Sequence, residues 1–333
     1  MFALFLYAHR LPPRAAPFIF ALLRWTSMVC PSPGPDTCQN AGRVGLFRCG
    51  AGVGTTIRSP GDSKAFRQQA DITSLTRALA DIAAGARSWP LWIELGNHDI
   101  RNRFQRSFLG PIWAAAPLAV TAAALGVVYA RVLDKNLETY LPYVTAGLII
   151  WNFIAATLQE GCNAFVVEAG VLWQTYIPRS LCLYRVLWRN LIVLGVNCTV
   201  FAGAALLVSL YPSWNMLFAL PGLALVCANL FWVCMFLAVF GTRFRDVSRV
   251  VAILLQLGLL VTPILWDAGS DPMLQTVRMI NPLYHAIELV RAPLLGTVPE
   301  PTTWIAAMFV LIAGWSMTIV VFARYRWRIT YWL

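Results

Sequence analysis

Six stretches of this chain contain no Asp, Glu, Lys or Arg, and they constrain the fold more than any other feature. They cover residues 112–130, 140–158, 190–210, 214–240, 250–266 and 304–323. The first runs for 19 residues, which at about 1.5 Å per residue in a helix matches a hydrocarbon core of about 30 Å. Lipid offers no hydrogen bonds, so such a segment must satisfy its own backbone, and a helix does so. The fifth stretch is the shortest and is interrupted by Pro263. Overall the chain is 59% hydrophobic and 12% charged, against about 25% charged in ordinary soluble domains. The expected class is an all-α polytopic membrane protein with six transmembrane helices.

A formal net charge of +11 would suggest nucleic acid in a soluble chain, but here it follows topology. Arg101, Arg103 and Arg106 precede the first span; Arg179, Arg185 and Arg189 follow the second. Arg243, Arg245 and Arg249 separate the fourth and fifth, and Arg324, Arg326 and Arg328 follow the sixth. These four segments fall on one side. The other side carries the balanced RVLDKNLE, the uncharged YPS, and 267–303, where Asp267, Asp271, Glu288 and Glu300 outnumber Arg278 and Arg291. Both termini are thus expected in the cytoplasm, and no nucleic-acid partner is expected.

Residues 1–65 are rich in Pro, Gly, Ser and Arg without a sustained helical or strand period, and read as a disordered or misassigned N-terminal extension. A signal peptide fits poorly, because Arg24 interrupts the short apolar run and Pro12, Pro13 and Pro17 break it up. The run GAGVGTT at 50–56 lacks the Lys that a phosphate loop needs. The eight cysteines form no close pair of the C-x-x-C kind. Residues 66–110 form a connecting unit, with the spacing of Ile72, Leu75, Leu79 and Ile82 marking a helix over 66–88. Next comes WPLWIELGNHDIRNRFQRSFLGPIW at 89–113. Trp92, Gly96, Ile100, Phe104 and Phe108 recur every four residues on one drifting face, opposite Glu94, His98, Arg101, Asn102 and Gln105. An interfacial helix is expected, imperfect because Arg103 and Ser107 intrude on the apolar side. Residues 111–333 make the six-span domain.

Proton relays and membrane-embedded transferases place ionisable groups inside their spans, and these six stretches contain no Asp, Glu, Lys or Arg. No catalytic, cofactor-binding or metal-ligating set stands out. A permease driven by a separate ATPase fits better, with ATP and Mg bound by that partner. Two loops suit docking of the ATPase. In 160–189 a short helical pattern ends before Pro178, and Glu168, Gln174, Pro178 and Arg179 are its candidate contacts. The turn at 241–247 offers Arg243, Arg245 and Asp246, where Asp246 can cap or pair with Arg243 or Arg249. On the far side, NPLYHAIELVRAPLLGTVPEP has a helix start at Asn281 and Pro282, with Leu283, Ile287 and Val290 on one face. It is too short to be a seventh crossing and reads as a re-entrant or outer helix.

The stretches LWIELGNHDIRNRFQRSFLGPIW, FRD at 244–246 and NPLYHAIELVRAPLLG together resemble the transmembrane subunits of bacterial polysaccharide exporters of the type-2 ABC class. That family includes permeases for O-antigen, capsule and teichoic acid, and the resemblance spans about 89–333. It implies a homodimeric pore in the inner membrane, an ATP-binding cassette partner and a lipid-linked polysaccharide substrate. It also implies a gate helix, here carrying Trp92, Ile100, Arg101, Arg103, Phe104 and Arg106, and a coupling helix within 160–189. Aromatics would line the glycan path, with Tyr129, Tyr140, Tyr143, Trp151 and Phe153 as candidates. Two competing readings are an exporter of lipids or small amphipathic drugs on the same fold, and a membrane-embedded glycosyl- or acyltransferase.

Overall fold

The computed structural model describes residues 60–105, 112–174, 177–209, 213–266 and 271–333, with side chains from Ser74 onward except those of Ile112 and Gln174. Residues 1–59 of the expected extension, and Arg106 and Phe108 of the expected interfacial helix, lie outside the described residues.

Every element among the described residues is helical. In chain order they are α1 (Pro60–Arg87), α2 (Trp89–Phe104), α3 (Ile112–Val132), α4 (Leu137–Cys162), α5 (Ala164–Val167), α6 (Ala169–Gln174) and α7 (Ser180–Leu207). A 3-10 turn (Trp214–Phe218) leads into α8 (Ala219–Arg243), followed by α9 (Val247–Val261), α10 (Pro272–Ile280), α11 (Pro282–Leu294), α12 (Pro301–Tyr325) and α13 (Ile329–Trp332). Local chemistry sets several starts. Asn136 accepts from the Glu138 amide at 3.0 Å to open α4. Asp271 and Asn281 each accept, at 2.9 Å, from the amide two residues on, with Pro272 and Pro282 at the first helical position of α10 and α11.

Five helical stretches are long and apolar enough to cross a membrane: Trp113–Val132, Leu137–Cys162, Ser180–Leu207, Trp214–Arg243 and Pro301–Tyr325. The fifth expected span differs. Helix α9 has 15 residues, about 22 Å at the helical rise, and ends at Val261, with Thr262 as its C-cap. Pro263 has no amide hydrogen to continue the ladder, and residues 262–266 turn instead. The third expected span also differs, because α7 starts at Ser180 and not at 190, so Arg185 and Arg189 sit on a helix and not in a loop.

Helix α4 lies at the centre of the bundle. Seven consecutive residues, Val144 to Ile150, are buried, which for a helix means neighbours on all sides. It packs against α3, α7, α8, α9 and α11, while α8 also packs against α12. Close backbone approaches lock α8. A methyl at Gly241 would collide with the Cys162 carbonyl at the end of α4, and one at Gly222 with the Leu289 carbonyl of α11. A methyl at Gly314 of α12 would strike the Trp232 ring. Small residues at such contacts let membrane helices approach closely enough to gain dispersion energy. Helix α11 is buried along much of its length, including Tyr284, His285, Ile287, Leu289, Val290 and Arg291, while α10 has no buried residue.

Candidate functional site

At the end of the bundle where α4 stops and α7 starts, five charged side chains from four segments converge. Asp99 of α2 accepts from Arg185 Nε at 2.8 Å and from Arg185 Nη2 at 2.6 Å, a two-pronged contact that fixes orientation as well as distance. Its Oδ2 also accepts from Arg189 Nη1 at 3.0 Å. Arg185 Nη1 reaches Glu168, between α5 and α6, at 2.7 Å. Arg189 Nη2 reaches Glu160, near the end of α4, at 2.7 Å, and Asn190 donates to the same carboxylate at 2.8 Å. The arginines lie four residues apart on α7 and so project from one face.

Three carboxylates thus face two guanidinium groups, and the side chains are between 17% and 31% exposed, sheltered enough for the pairs to outweigh ordinary surface bridges. Burial by itself raises the Asp99 carboxyl, but the hydrogen bond to Arg185 and the charges of Arg185 and Arg189 outweigh it and hold the group below its ordinary value.

Apolar packing brings Asp99 to this point. Gly96 lets α2 lie against α7, since a methyl there would come within 2.7 Å of Trp188 Cδ1. One turn earlier Trp92 stacks on Tyr184 with centroids 5.8 Å apart, and meets Trp188 edge-on at the same separation. Asn97 accepts from Trp188 Nε1 at 3.1 Å, and Ile100 is buried. The end of α4 is tied to α9 as well, because Gln159 and Asn163 donate to Ser248 Oγ at 2.8 and 3.1 Å.

Of the other residues singled out in α2, Arg101 and Arg103 are exposed and Phe104 is half-buried. Glu168 belongs to the charged network, while Arg179 donates to Thr330 at 2.9 Å and the Pro178 carbonyl accepts from the Leu181 amide. Arg243 lies over the Trp332 ring at 5.2 Å. Arg245 is exposed; Asp246 pairs with Arg249 among the described residues, at 3.5 Å and in solvent, and makes no side-chain cap on α9. The structure gathers none of these basic turn residues into the Asp99 network.

The five candidate path aromatics do not form one wall. Tyr140, Trp151 and Phe153 are buried in the chain's own core, with the Tyr140 hydroxyl donating to the Leu265 carbonyl and Trp151 against Gly258. Tyr129 and Tyr143 are half-buried. Tyr143 lies under the guanidinium of Arg291, 4.2 Å from its centroid. Arg291 is 2% exposed, pairs with Glu288 at 2.5 Å and donates to the Pro263 carbonyl at 3.0 Å, satisfying an acceptor freed where α9 breaks. Asn281 donates to Thr262 Oγ1 at 2.9 Å beside it.

In the sequence Arg185, Arg189 and Arg291 enter only the charge count for topology, and Asp99 and Glu160 carry no site role. The i, i+4 spacing of Arg185 and Arg189, and Asp99 three residues beyond Gly96, are the signals that could have marked the Asp99 network.

The description "ABC-2 type transporter" belongs to the family model that matches residues 91–295, which hold most of α2, the charged network and α11. Among curated relatives, an O-antigen export system permease protein RfbA of Klebsiella pneumoniae is 24% identical over 247 residues, 72% of this chain and 93% of the relative. A second RfbA from the same organism is 25% identical over 203 residues, 59% of this chain and 77% of the relative. The RfbA of Myxococcus xanthus is 21% identical over 181 residues, covering 54% and 69%. With an all-helical bundle of long apolar helices and a family match over more than half its length, this chain belongs to the ABC-2 type transporters as a membrane permease.

Proposed function

We propose that the chain is the permease half of an exporter that moves a lipid-linked polysaccharide across the bacterial inner membrane, using ATP hydrolysed by a separate subunit. The observation that carries this reading is the similarity, over 54% to 72% of this chain, to three relatives named O-antigen export system permeases. Two copies would enclose the path, with both termini in the cytoplasm. Tyr129 and Tyr143 suit a sugar-lining role better than Tyr140, Trp151 and Phe153, which their own chain already covers.

The Asp99 network supports a mechanical division of labour. Load applied by the ATPase to α5, α6 and the turn before α7 would reach Arg185 through Glu168 and pass to α2 through Asp99. Helix α2, at headgroup level, would then admit the lipid carrier sideways, with the exposed Arg101 and Arg103 offered to its phosphates. The α8–α9 turn, with exposed Arg245, offers the ATPase a second contact. Helix α9 would act as the fifth crossing only together with the turn at 262–266 and α11.

The test is ATP hydrolysis by the complex purified with the ATPase and reconstituted in liposomes. Lipid-linked glycan from the host should stimulate it, whereas the carrier lipid without glycan should not. Stimulation by small amphipathic drugs with no response to glycan would favour the lipid-and-drug exporter reading instead.

A further inference from the structure

A basic cleft elsewhere on the permease shares no residue with the Asp99 network. A cleft of about 490 Å³ opens between α1, the start of α7 and the segment after α12. Arg77, Arg179, Arg326, Trp327, Thr330 and Tyr331 line it, and no acidic side chain does so among the described residues. The carboxylate nearest in function, Asp81, is already committed. Its Oδ1 accepts from the Ser180 amide at 3.1 Å, and its Oδ2 from Arg326 Nε at 3.0 Å and Nη2 at 2.8 Å. Arg77 is exposed and pairs with no carboxylate among the described residues.

The level of the cleft along the bundle is fixed by α12. That apolar helix ends at Tyr325, so Arg326 to Tyr331 follow the hydrocarbon region directly. Trp327 and Tyr331 are 60% and 80% exposed and meet edge to face at 5.9 Å. Exposed indole and phenol rings at that depth partition to the headgroup layer, with their apolar bodies toward the chains and polar tips toward water. Guanidinium groups match phosphate oxygens in charge and geometry. Arg77 stands beside interfacial rings, with Arg326 held in the same cleft by Asp81, in a space larger than one phosphate needs, which fits a headgroup still attached to its acyl chains.

We propose that this cleft binds the phosphate of an anionic phospholipid from the surrounding bilayer. The site joins α1, which precedes the family-matched region, to the C-terminal segment, which follows it, so a bound headgroup bridges the two flanks of the permease. The proposal does not depend on what the permease exports.

Native mass spectrometry of the full chain in mild detergent, titrated separately with phosphatidylglycerol and phosphatidylcholine, tests it. Wild type should retain phosphatidylglycerol in preference to phosphatidylcholine. Arg77→Gln should cut phosphatidylglycerol retention about fivefold, the effect of one basic residue at an anionic surface. Trp327→Ala should lower it independently, while Arg131→Gln, at the end of α3, should leave it unchanged. All three positions are exposed, so monodisperse elution serves as the folding control. Equal retention of the two lipids, or equal losses for Arg77→Gln and Arg131→Gln, would overturn the proposal. Displacement of phosphatidylglycerol by millimolar inorganic phosphate would also overturn it, by identifying the ligand as the free anion.

Discussion

Asp99 and Arg291 are both costly to lose, for different reasons. Asp99 holds both Arg185 and Arg189, so Asn in its place removes a charge from a sheltered network and leaves only Glu168 and Glu160 to balance them. Asp99→Asn should weaken docking of α2 by about 1–3 kcal/mol. Amide exchange over Trp89–Phe104 should accelerate accordingly, with the core of α4 unaffected. Because the folded-state pKa of Asp99 is depressed, its contribution is complete above the unfolded value of about 3.9 and fades as pH falls through the folded value. The difference in melting temperature between wild type and Asp99→Asn should therefore be constant from pH 8 to about 5 and vanish only in stronger acid. At Arg291, Ala would strand the Pro263 carbonyl and remove the ring contact with Tyr143, while Glu288 lost its partner. A loss of about 3–5 kcal/mol is expected on the scale of broken buried ion pairs, read as the melting temperature in detergent. Arg291→Lys should recover only part, since an ammonium cannot hold Glu288 and the carbonyl with one planar fork. Arg291 stands in the sequence run that marks α11, yet its partners lie 28 and 148 residues earlier, at Pro263 and Tyr143. Periodicity reports the face of a helix and carries no information about such distant acceptors, which is why this role was not legible.

Between elements, glycine contacts separate what tolerates a methyl from what does not. Gly241→Ala and Gly222→Ala both drive a methyl into backbone carbonyls, which cannot rotate away as a side chain can. Each should cost about 1–3 kcal/mol, the range for overpacking. Gly195 of α7 has open space where its methyl would go, so Gly195→Ala should be neutral or stabilise by up to about 1 kcal/mol through helix propensity. Melting of the three variants against wild type decides both statements, and a stable Gly241→Ala would contradict the contact drawn between α8 and α4. The elements themselves were largely legible. Five of the expected spans overlap long apolar helices, and the four-residue spacing of Trp92, Gly96 and Ile100 is the face that α2 presents to α7. The misreadings occurred where charge and hydropathy diverge from helix geometry. Arg185 and Arg189 looked like loop residues because they interrupt an apolar run, but they extend α7 by satisfying carboxylates beyond its apolar part. In 250–266 the sequence marks an interruption at Pro263, yet the uncharged run still counts as a span; the helix stops before that proline, where the hydrogen-bond ladder cannot continue.

At the scale of the whole molecule, the arrangement of basic segments makes a topological prediction. In a cysteine-free background, single cysteines at Lys135, Ser213 and Asp271 should react with a membrane-impermeant maleimide in intact spheroplasts. A cysteine at Arg245 should react only after the membrane is opened. Labelling of 245 from outside would invert the topology and place the Asp99 network away from any cytoplasmic ATPase. The family match starts at residue 91, so the charged network and α11 fall inside it while Asp81 and Arg326 fall outside.

The glycine contacts of α8 carry one last implication. Near its start this helix is pinned to α11 through Gly222, at its end to α4 through Gly241, and along its length Trp232 fills the notch left by Gly314 of α12. A rod fixed at both ends can neither slide along its axis nor pivot about its midpoint. Helices α4, α8, α11 and α12 therefore have the mechanics of one stiff chassis. Relative motion would then fall to elements outside that chassis, such as α2, which is held to α7 through Asp99.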